Sequence, residues 1–176
     1  MRGDKWRMRL LARLALVGWF GLALLVLAVL ARHREQAPVA PVQPIDFPHT
    51  VHADRLKLAC TFCHTFADRS SRAGVPPLAT CMACHRSIAV ERPEVRKLRG
   101  HVERREPVVW QRVHRLPDHV HFTHKRHVRA GVDCSACHGA VAKMERTKRV
   151  RPLTMGWCVT CHRARGAPTD CATCHR

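Results

Sequence analysis

Two hydrophobic patterns divide this chain. From Leu14 to Ala31 there are eighteen residues without a charged side chain, about the shortest run that spans roughly 30 Å of hydrocarbon as a helix. Arg2, Lys5, Arg7, Arg9 and Arg13 stand before it, and a basic flank of this kind is retained on the cytoplasmic side of a membrane. The pattern predicts a basic cytoplasmic segment over 1–13 and a single-pass transmembrane anchor over 14–31. Everything after Arg32 then lies on the periplasmic side of a bacterial inner (cytoplasmic) membrane. Val29 and Ala31 would also suit a signal peptidase, but the apolar run exceeds the about 7 to 15 residues of a signal h-region, so a retained anchor is expected.

Beyond the anchor the apolar positions lose any long periodicity. Pro38, Pro41, Pro44 and Pro48 predict an extended, semi-rigid linker over 32–48. Further on, Gly and Pro break most runs, and the pattern supports only short helical turns around the cysteine pairs and one helix from Pro93 to His101. Aromatic residues make up 5% of the chain and Tyr is absent. Once the anchor is set aside, too few core formers remain for a conventional interior, so a chain of 176 residues with 10 Cys and 14 His must rely on disulfides, metals or cofactors.

The cysteines choose among these. All ten fall into one pattern, C-x-x-C-H, at Cys60/Cys63/His64, Cys81/Cys84/His85, Cys134/Cys137/His138, Cys158/Cys161/His162 and Cys171/Cys174/His175. Two thiols at this spacing add to the vinyl groups of one haem, and the adjoining imidazole reaches the iron as proximal ligand. Structural zinc takes such pairs two at a time, which leaves one of five unmatched, and needs no His after the second Cys. Five covalently attached c-type haems are therefore expected. They also reshape the charge argument. The formal net charge of +18 suits a polyanion binder, but ten propionates bring the reduced protein to about +8 and the oxidised one to about +13. No nucleic-acid partner is needed, and the scattered basic residues, Arg96, Lys97, Arg99, Arg104, Arg105, Lys143, Arg146, Lys148, Arg149 and Arg151, read as a solvated, propionate-pairing face.

An internal repeat supplies sixth ligands. Phe47-Pro-His49-Thr-Val-His52 precedes Cys60 and Phe122-Thr-His124-Lys-Arg-His127 precedes Cys134, each as F-x-H-x-x-H ahead of two haem motifs. The expected organisation is a pentahaem cytochrome c domain over 49–176, built from two dihaem repeats, 47–85 and 122–162, and a fifth haem at 171–175. His at i and i+3 leave a helical turn from adjacent sides, so one segment serves two irons; His49, His52, His124 and His127 are the expected ligands. One iron still needs a partner from among His33, His101, His114, His119 and His121. His114 is the choice. Met155, three residues before Cys158, is the alternative, since a thioether ligand would raise the potential of its haem. The expected fold is mostly irregular with short α-helices around a haem-built core. Roughly 130 residues give a radius of gyration near 14 Å, which places five haem centres about 15 Å or less apart. An electron wire follows. No catalytic residue is expected, and the chain is read as an electron-transfer subunit and not itself an enzyme.

Five stretches carry a family resemblance: Phe47-Pro-His-Thr-Val-His52, Gly74-Val-Pro-Pro-Leu-Ala-Thr-Cys-Met-Ala-Cys-His85, Val109-Trp-Gln-Arg-Val-His-Arg-Leu-Pro-Asp118, Phe122-Thr-His-Lys-Arg-His127 and Met155-Gly-Trp-Cys158. On these the chain resembles the membrane-anchored pentahaem cytochrome c subunit of alternative complex III, within the class III multihaem cytochromes. The resemblance implies electrons taken from a quinol-oxidising complex, by way of an iron-sulfur/molybdopterin-type subunit and a polytopic quinol-binding membrane subunit. It implies delivery to a monohaem cytochrome c subunit or a terminal oxidase. A NapC/NirT-type membrane-anchored quinol dehydrogenase passing electrons to a periplasmic reductase is the alternative. That type needs its first haem at the membrane surface, whereas here 28 residues with four prolines separate Ala31 from Cys60. A multihaem reductase would need an open iron position, and enough His are present to close every site.

Overall fold

The computed structural model describes residues 3–36 and 40–175, and the side chains of 6–32 and 40–175. The chain divides into two compact units, residues 1–37 and 38–176. The first is one helix, α1 (Gly3–Gln36). It runs past both ends of the uncharged stretch because Arg, Lys, Leu and Ala are all good helix formers and the first proline is Pro38. Trp6–Arg32 is long and apolar enough to cross a membrane, with mean hydropathy 2.6, and rises about 40 Å at the α-helical pitch. Leu14, Val17, Trp19, Phe20 and Leu24 are exposed along it. Met1 and Arg2 of the basic segment, Ala37, Pro38 and Val39 of the linker, and the side chain of His33 lie outside the described residues.

The second unit is helical and irregular. Its helices are α2 (Cys60–Cys63), α3 (Leu78–His85), α4 (Pro93–Glu103), α5 (His124–Arg129), α6 (Cys134–His138), α7 (Met155–Ala164) and α8 (Cys171–Cys174), and no strand occurs among the described residues. Each C-x-x-C pair sits on its own helix, as the pattern predicts. Local chemistry starts several of them. Asp133 accepts from Ser135 N and Asp170 from Thr173 N, so a carboxylate directly before the first cysteine satisfies an orphan donor of the turn. Pro93 occupies the first turn of α4, where its missing N–H costs nothing.

The apolar interior is small. Among the described residues Ile45, Ala67, Met82, Val95 and Leu98 are buried, and no side chain is wholly enclosed. Ile45, Met82 of α3 and Leu98 of α4 cluster with Leu78, Cys81, Val108 and Trp110. The stretch from 40 to 46 carries no helix or strand and bends at Pro44 and Ile45, and it does not stand clear of the domain. Ile45 is 6% exposed, Asp46 N donates to Glu94 Oε2 at 2.7 Å, and the Gln43 amide both donates to Gln111 O and accepts from Gln111 N, each at 2.9 Å. Prolines remove backbone donors, so side chains tie this stretch down.

The two F-x-H-x-x-H segments are held reciprocally. The first, a wide helical turn at Thr50–Arg55, packs on the short turn Val141–Lys143. Lys143 Nζ donates to both Asp54 oxygens at 2.8 Å, and Thr50 Oγ1 to Glu145 Oε1 at 2.7 Å. The second, α5, is tied to the loop after the first haem motif by His124 N to Ser71 O at 3.2 Å, Lys125 N to Ser70 O at 3.0 Å and Arg129 Nε to Asp68 O at 3.0 Å. Each segment is thus braced by residues from the other half of the domain.

Gly139 shows how tight the turn after the third motif is. Its φ of 70° and ψ of −165° fall in a region open essentially to glycine, and a Cβ there would stand 2.6 Å from Val150 Cγ2. Gly139→Ala is expected to cost roughly 1–3 kcal/mol from backbone strain alone, read as a lower denaturation midpoint. An unchanged midpoint would show that the turn relaxes freely.

Candidate haem and metal centre

A C-x-x-C spacing on a helical turn sets both sulfurs on one side of the backbone, and all ten cysteines are free thiols. No disulfide framework competes with cofactor attachment. Zinc is no better served: among the described residues no group of three or more His, Cys, Asp or Glu is placed to hold a metal ion. Haem iron asks less of the protein, because the porphyrin occupies four positions and only two axial ligands remain to be found.

The histidines supply them with the correct nitrogen free. Nδ1 donates to a backbone carbonyl in His52 (Pro48 O, 3.2 Å), His64 (Gly74 O, 2.6 Å), His85 (Ile88 O, 3.0 Å), His124 (Ser71 O, 2.9 Å), His127 (Thr123 O, 2.9 Å), His162 (Pro168 O, 2.6 Å) and His175 (His119 O, 3.1 Å). A proton held at Nδ1 leaves the Nε2 lone pair for a metal and orients the ring, which is how outer groups prepare ligating imidazoles. Three rings then face a second ring at one separation. Centroids are 6.1 Å apart for His52 and His85, 6.2 Å for His124 and His138, and 6.1 Å for His127 and His162. Two metal–nitrogen bonds of about 2.0–2.1 Å plus two ring radii of about 1.1 Å require roughly 6.3 Å. The residues present fit bis-imidazole iron.

The phenylalanine of each F-x-H-x-x-H has a part that the pattern alone did not disclose. Phe47 lies 4.4 Å from the His52 ring, nearly parallel, and 5.0 Å edge-on to His49. Phe122 repeats this at 4.5 Å from His127 and 4.9 Å from His124. One ring is a shelf for two ligands, and the repeat extends to side-chain geometry.

His49 has no carbonyl partner of this kind and meets Thr147 Oγ1 at 3.0 Å instead. Burial, then His64 and His52, lowers its pKa. His138 is pushed down to about 4 by burial and by His114, His124 and His64, which keeps it neutral, the form that binds metal. His114 lies edge-on to His138 with centroids 4.4 Å apart, too close for an iron between them, and its Nε2 is buried without a hydrogen-bond partner. Met155, at the start of α7, is 66% exposed. The ring nearest His175 in these contacts is His119, at 5.4 Å, whose own carbonyl already holds the His175 Nδ1 proton; His121 N donates to Cys174 O at 2.8 Å. His101 Nδ1 is buried and unpaired. Several basic side chains are engaged with carboxylates, among them Lys97 with Glu94, Arg104 with Glu106 and Arg146 with Asp46.

Thr147→Val is expected to raise the midpoint potential of one haem and leave the others in place, because an imidazole that loses a hydrogen bond at Nδ1 donates less to iron. A redox titration followed in the visible spectrum reads this. Five unmoved potentials would remove Thr147 from the ligand's surroundings.

Comparison with known proteins bears on the same residues. Residues 120–176, which hold α5 to α8, match the family described as cytochrome c7 and related cytochrome c. A curated relative from Nitratidesulfovibrio vulgaris, named menaquinone reductase, multiheme cytochrome c subunit, is 35% identical over 97 residues, which is 54% of this chain and 45% of the relative. The chain therefore spans under half the length of that relative. The fold is mostly helical and irregular with one apolar N-terminal helix, and its carboxyl-terminal part is similar to multihaem cytochrome c.

Proposed function

We propose that this chain is the membrane-anchored electron-relay subunit of a quinone-reactive complex, carrying five covalently attached haems and performing no substrate chemistry itself. The single observation that carries the reading is the set of imidazole pairs at 6.1–6.2 Å, each joining a histidine of F-x-H-x-x-H to one of C-x-x-C-H. Bound haem supplies one-electron oxidation and reduction. The chain would do the rest: Cys60, Cys63, Cys81, Cys84, Cys134, Cys137, Cys158, Cys161, Cys171 and Cys174 would hold the rings, while His64, His85, His138, His162 and His175, with His49, His52, His124 and His127 at the first four sites, would ligate the irons. Carbonyl-held protons at Nδ1 fix the tautomers, so electron passage requires no proton movement at the ligands. For the one iron left without a partner the histidine count proposes His114, with Met155 as alternative, although the His114 ring lies 4.4 Å from His138 and the ring beside His175 is His119 at 5.4 Å. His114→Ala is expected to open one iron to carbon monoxide; a shifted spectrum without carbon monoxide binding would make His114 a packing neighbour of His138 instead.

In this reading residues 14–31 anchor the subunit and the haem domain faces the periplasm. The resemblance to alternative complex III supports electrons leaving quinol for a monohaem cytochrome or an oxidase. The name of the N. vulgaris relative favours the opposite direction, with electrons delivered to menaquinone. The resemblance implies an iron-sulfur/molybdopterin-type subunit and a polytopic membrane subunit beside the relay, whereas the relative's name says only that it is one subunit of a menaquinone reductase. Purification by this subunit from membranes in mild detergent tests the proposal. Mass spectrometry is expected to find those partners, and haem reduction by a menaquinol analogue, or haem oxidation by a menaquinone analogue, sets the direction. Recovery of the cytochrome alone, still reduced by quinol, would overturn the relay and establish a NapC/NirT-type dehydrogenase.

A further inference from the structure

Side chains near the amino-terminal end of α1 form a cavity of their own. Trp6, Arg9, Leu10 and Arg13 line a surface cavity of about 380 Å³. They stand at i, i+3, i+4 and i+7, so they share one face of the helix over two turns. Trp6 and Leu10 are exposed, and the Arg7 guanidinium lies 5.8 Å from the Trp6 ring centroid, which steadies the indole from beside the cavity. No acidic residue lines the space. In the first thirteen residues five basic side chains, Arg2, Lys5, Arg7, Arg9 and Arg13, stand against one carboxylate, Asp4. Two guanidinium groups, a large aromatic and a leucine call for an anion with an apolar body.

Position along the helix narrows the anion. Arg13 adjoins Leu14, where the uncharged run begins, and Arg9 stands four residues, about 6 Å, farther out. A bilayer about 40–45 Å thick with about 30 Å of hydrocarbon leaves roughly 5–8 Å of headgroup on each side. The two guanidinium groups therefore bracket the level of the lipid phosphates, where tryptophan also settles. On the hydrocarbon side the same face continues as Val17, Phe20 and Leu24, all exposed. An acyl chain can run from the cavity into the membrane along one side of α1. An acidic peptide or a free anion would use the arginines and leave that stripe idle.

From this arrangement we infer that α1 holds one anionic phospholipid on the face made by Trp6, Arg9, Leu10 and Arg13. The phosphodiester oxygens accept from Arg9 and Arg13, whose planar forks match phosphate. Trp6 covers the glycerol, and the chains lie along Val17, Phe20 and Leu24. The inference rests on the proposed reading of residues 14–31 as an anchor with a cytoplasmic flank, but not on the number of haems or the direction of electron flow. A zwitterionic headgroup brings its own cation to the phosphate and gains less, so the face selects anionic lipid. A held lipid also differs from the general attraction of a basic flank, because it depends on which charges are removed.

The test uses the full-length protein, purified in detergent, stripped of lipid and titrated with phosphatidylglycerol. Native mass spectrometry is expected to show one lipid retained, none with phosphatidylcholine at the same concentration, and no displacement by excess inorganic phosphate. Arg9→Gln with Arg13→Gln is expected to weaken retention at least about tenfold. Lys5→Gln with Arg7→Gln removes the same charge from other sides of the helix and is expected to leave retention near the wild-type level. Unchanged covalent haem content in both variants shows that the domain still crosses the membrane. Equal weakening by the two pairs would make the attraction diffuse and overturn the site, as would equal retention of phosphatidylcholine or displacement by phosphate. Loss of a co-purifying subunit from the Arg9→Gln, Arg13→Gln protein, with lipid retention intact, would give this face to a partner subunit and equally overturn it. Intact mass separates the two levels. A mature chain that lacks α1 defeats the anchor itself, whereas a full-length chain that holds no phosphatidylglycerol defeats only the lipid site.

Discussion

On the proposed five-haem reading, serine in place of both Cys134 and Cys137 is expected to remove one haem and unfold the region around α6, a loss of several kcal/mol where an ordinary surface change stays within about 0.5 kcal/mol. The reason lies in what the side chains leave undone. Among the described residues the buried apolar set is Ile45, Ala67, Met82, Val95 and Leu98; Ile45, Met82, Val95 and Leu98 lie on the stretch before the first motif, α3 and α4, Ala67 lies in the loop after the first motif, and none belongs to the third motif. Around α6 the structure offers a capping carboxylate at Asp133 and the glycine turn at Gly139, neither of which buries much apolar area. The porphyrin must supply that area, and burial stabilises by about 25 cal/mol per Å². Haem content and thermal melting of the double variant measure the effect together. Four haems with a native melting curve would show that side chains alone hold this region.

The second large effect concerns coordination. The reduced wild-type protein is expected to bind no carbon monoxide, since the proposed ligand set would close every iron, and His52→Ala is expected to bind one equivalent. His52 is held on three sides: its Nδ1 proton by Pro48 O, its face by Phe47, and its far edge turned to His85 at 6.1 Å. Alanine leaves a space that no neighbouring imidazole of that segment can fill, because His49 is engaged by Thr147. The Soret band of the reduced protein under carbon monoxide reports the change. Uptake by the wild type would mean an iron left open and a reductase brought back into consideration; no uptake by the variant would remove His52 from the ligands.

Much of this arrangement can be read from residues close together in sequence. The uncharged run from Leu14 to Ala31, the five C-x-x-C-H helices and the helix beginning at Pro93 are local features, set by hydropathy, by a three-residue spacing and by proline at a first turn. What escapes such reading depends on pairs far apart. Thr147 reaches His49 across 98 residues, Gln43 reaches Gln111 across 68, and no periodicity marks either. The proline count around Pro41, Pro44 and Pro48 predicts an extended stretch, but a lone Ile45 gives no sign that it will seat beside Met82 and Leu98. His114 illustrates a different limit. Elimination among spare histidines selects it as a ligand, yet elimination has no information on distance, and the ring lies against His138. Phe47 and Phe122 were visible as repeated letters, though their stacking on the second histidine of each segment is a three-dimensional fact.

The reciprocal hold of the two F-x-H-x-x-H segments sets a timetable for the growing polypeptide. A chain synthesised from its amino terminus exposes His49 and His52 long before Lys143, Glu145 and Thr147 exist to steady them, while α5 finds Asp68, Ser70 and Ser71 already waiting. The earlier half must stay loose until most of the later half has emerged, and contacts of such high sequence separation form slowly. The architecture itself postpones closure of the first segment until residues 143–147 have emerged, when three of the five cysteine pairs are already exposed.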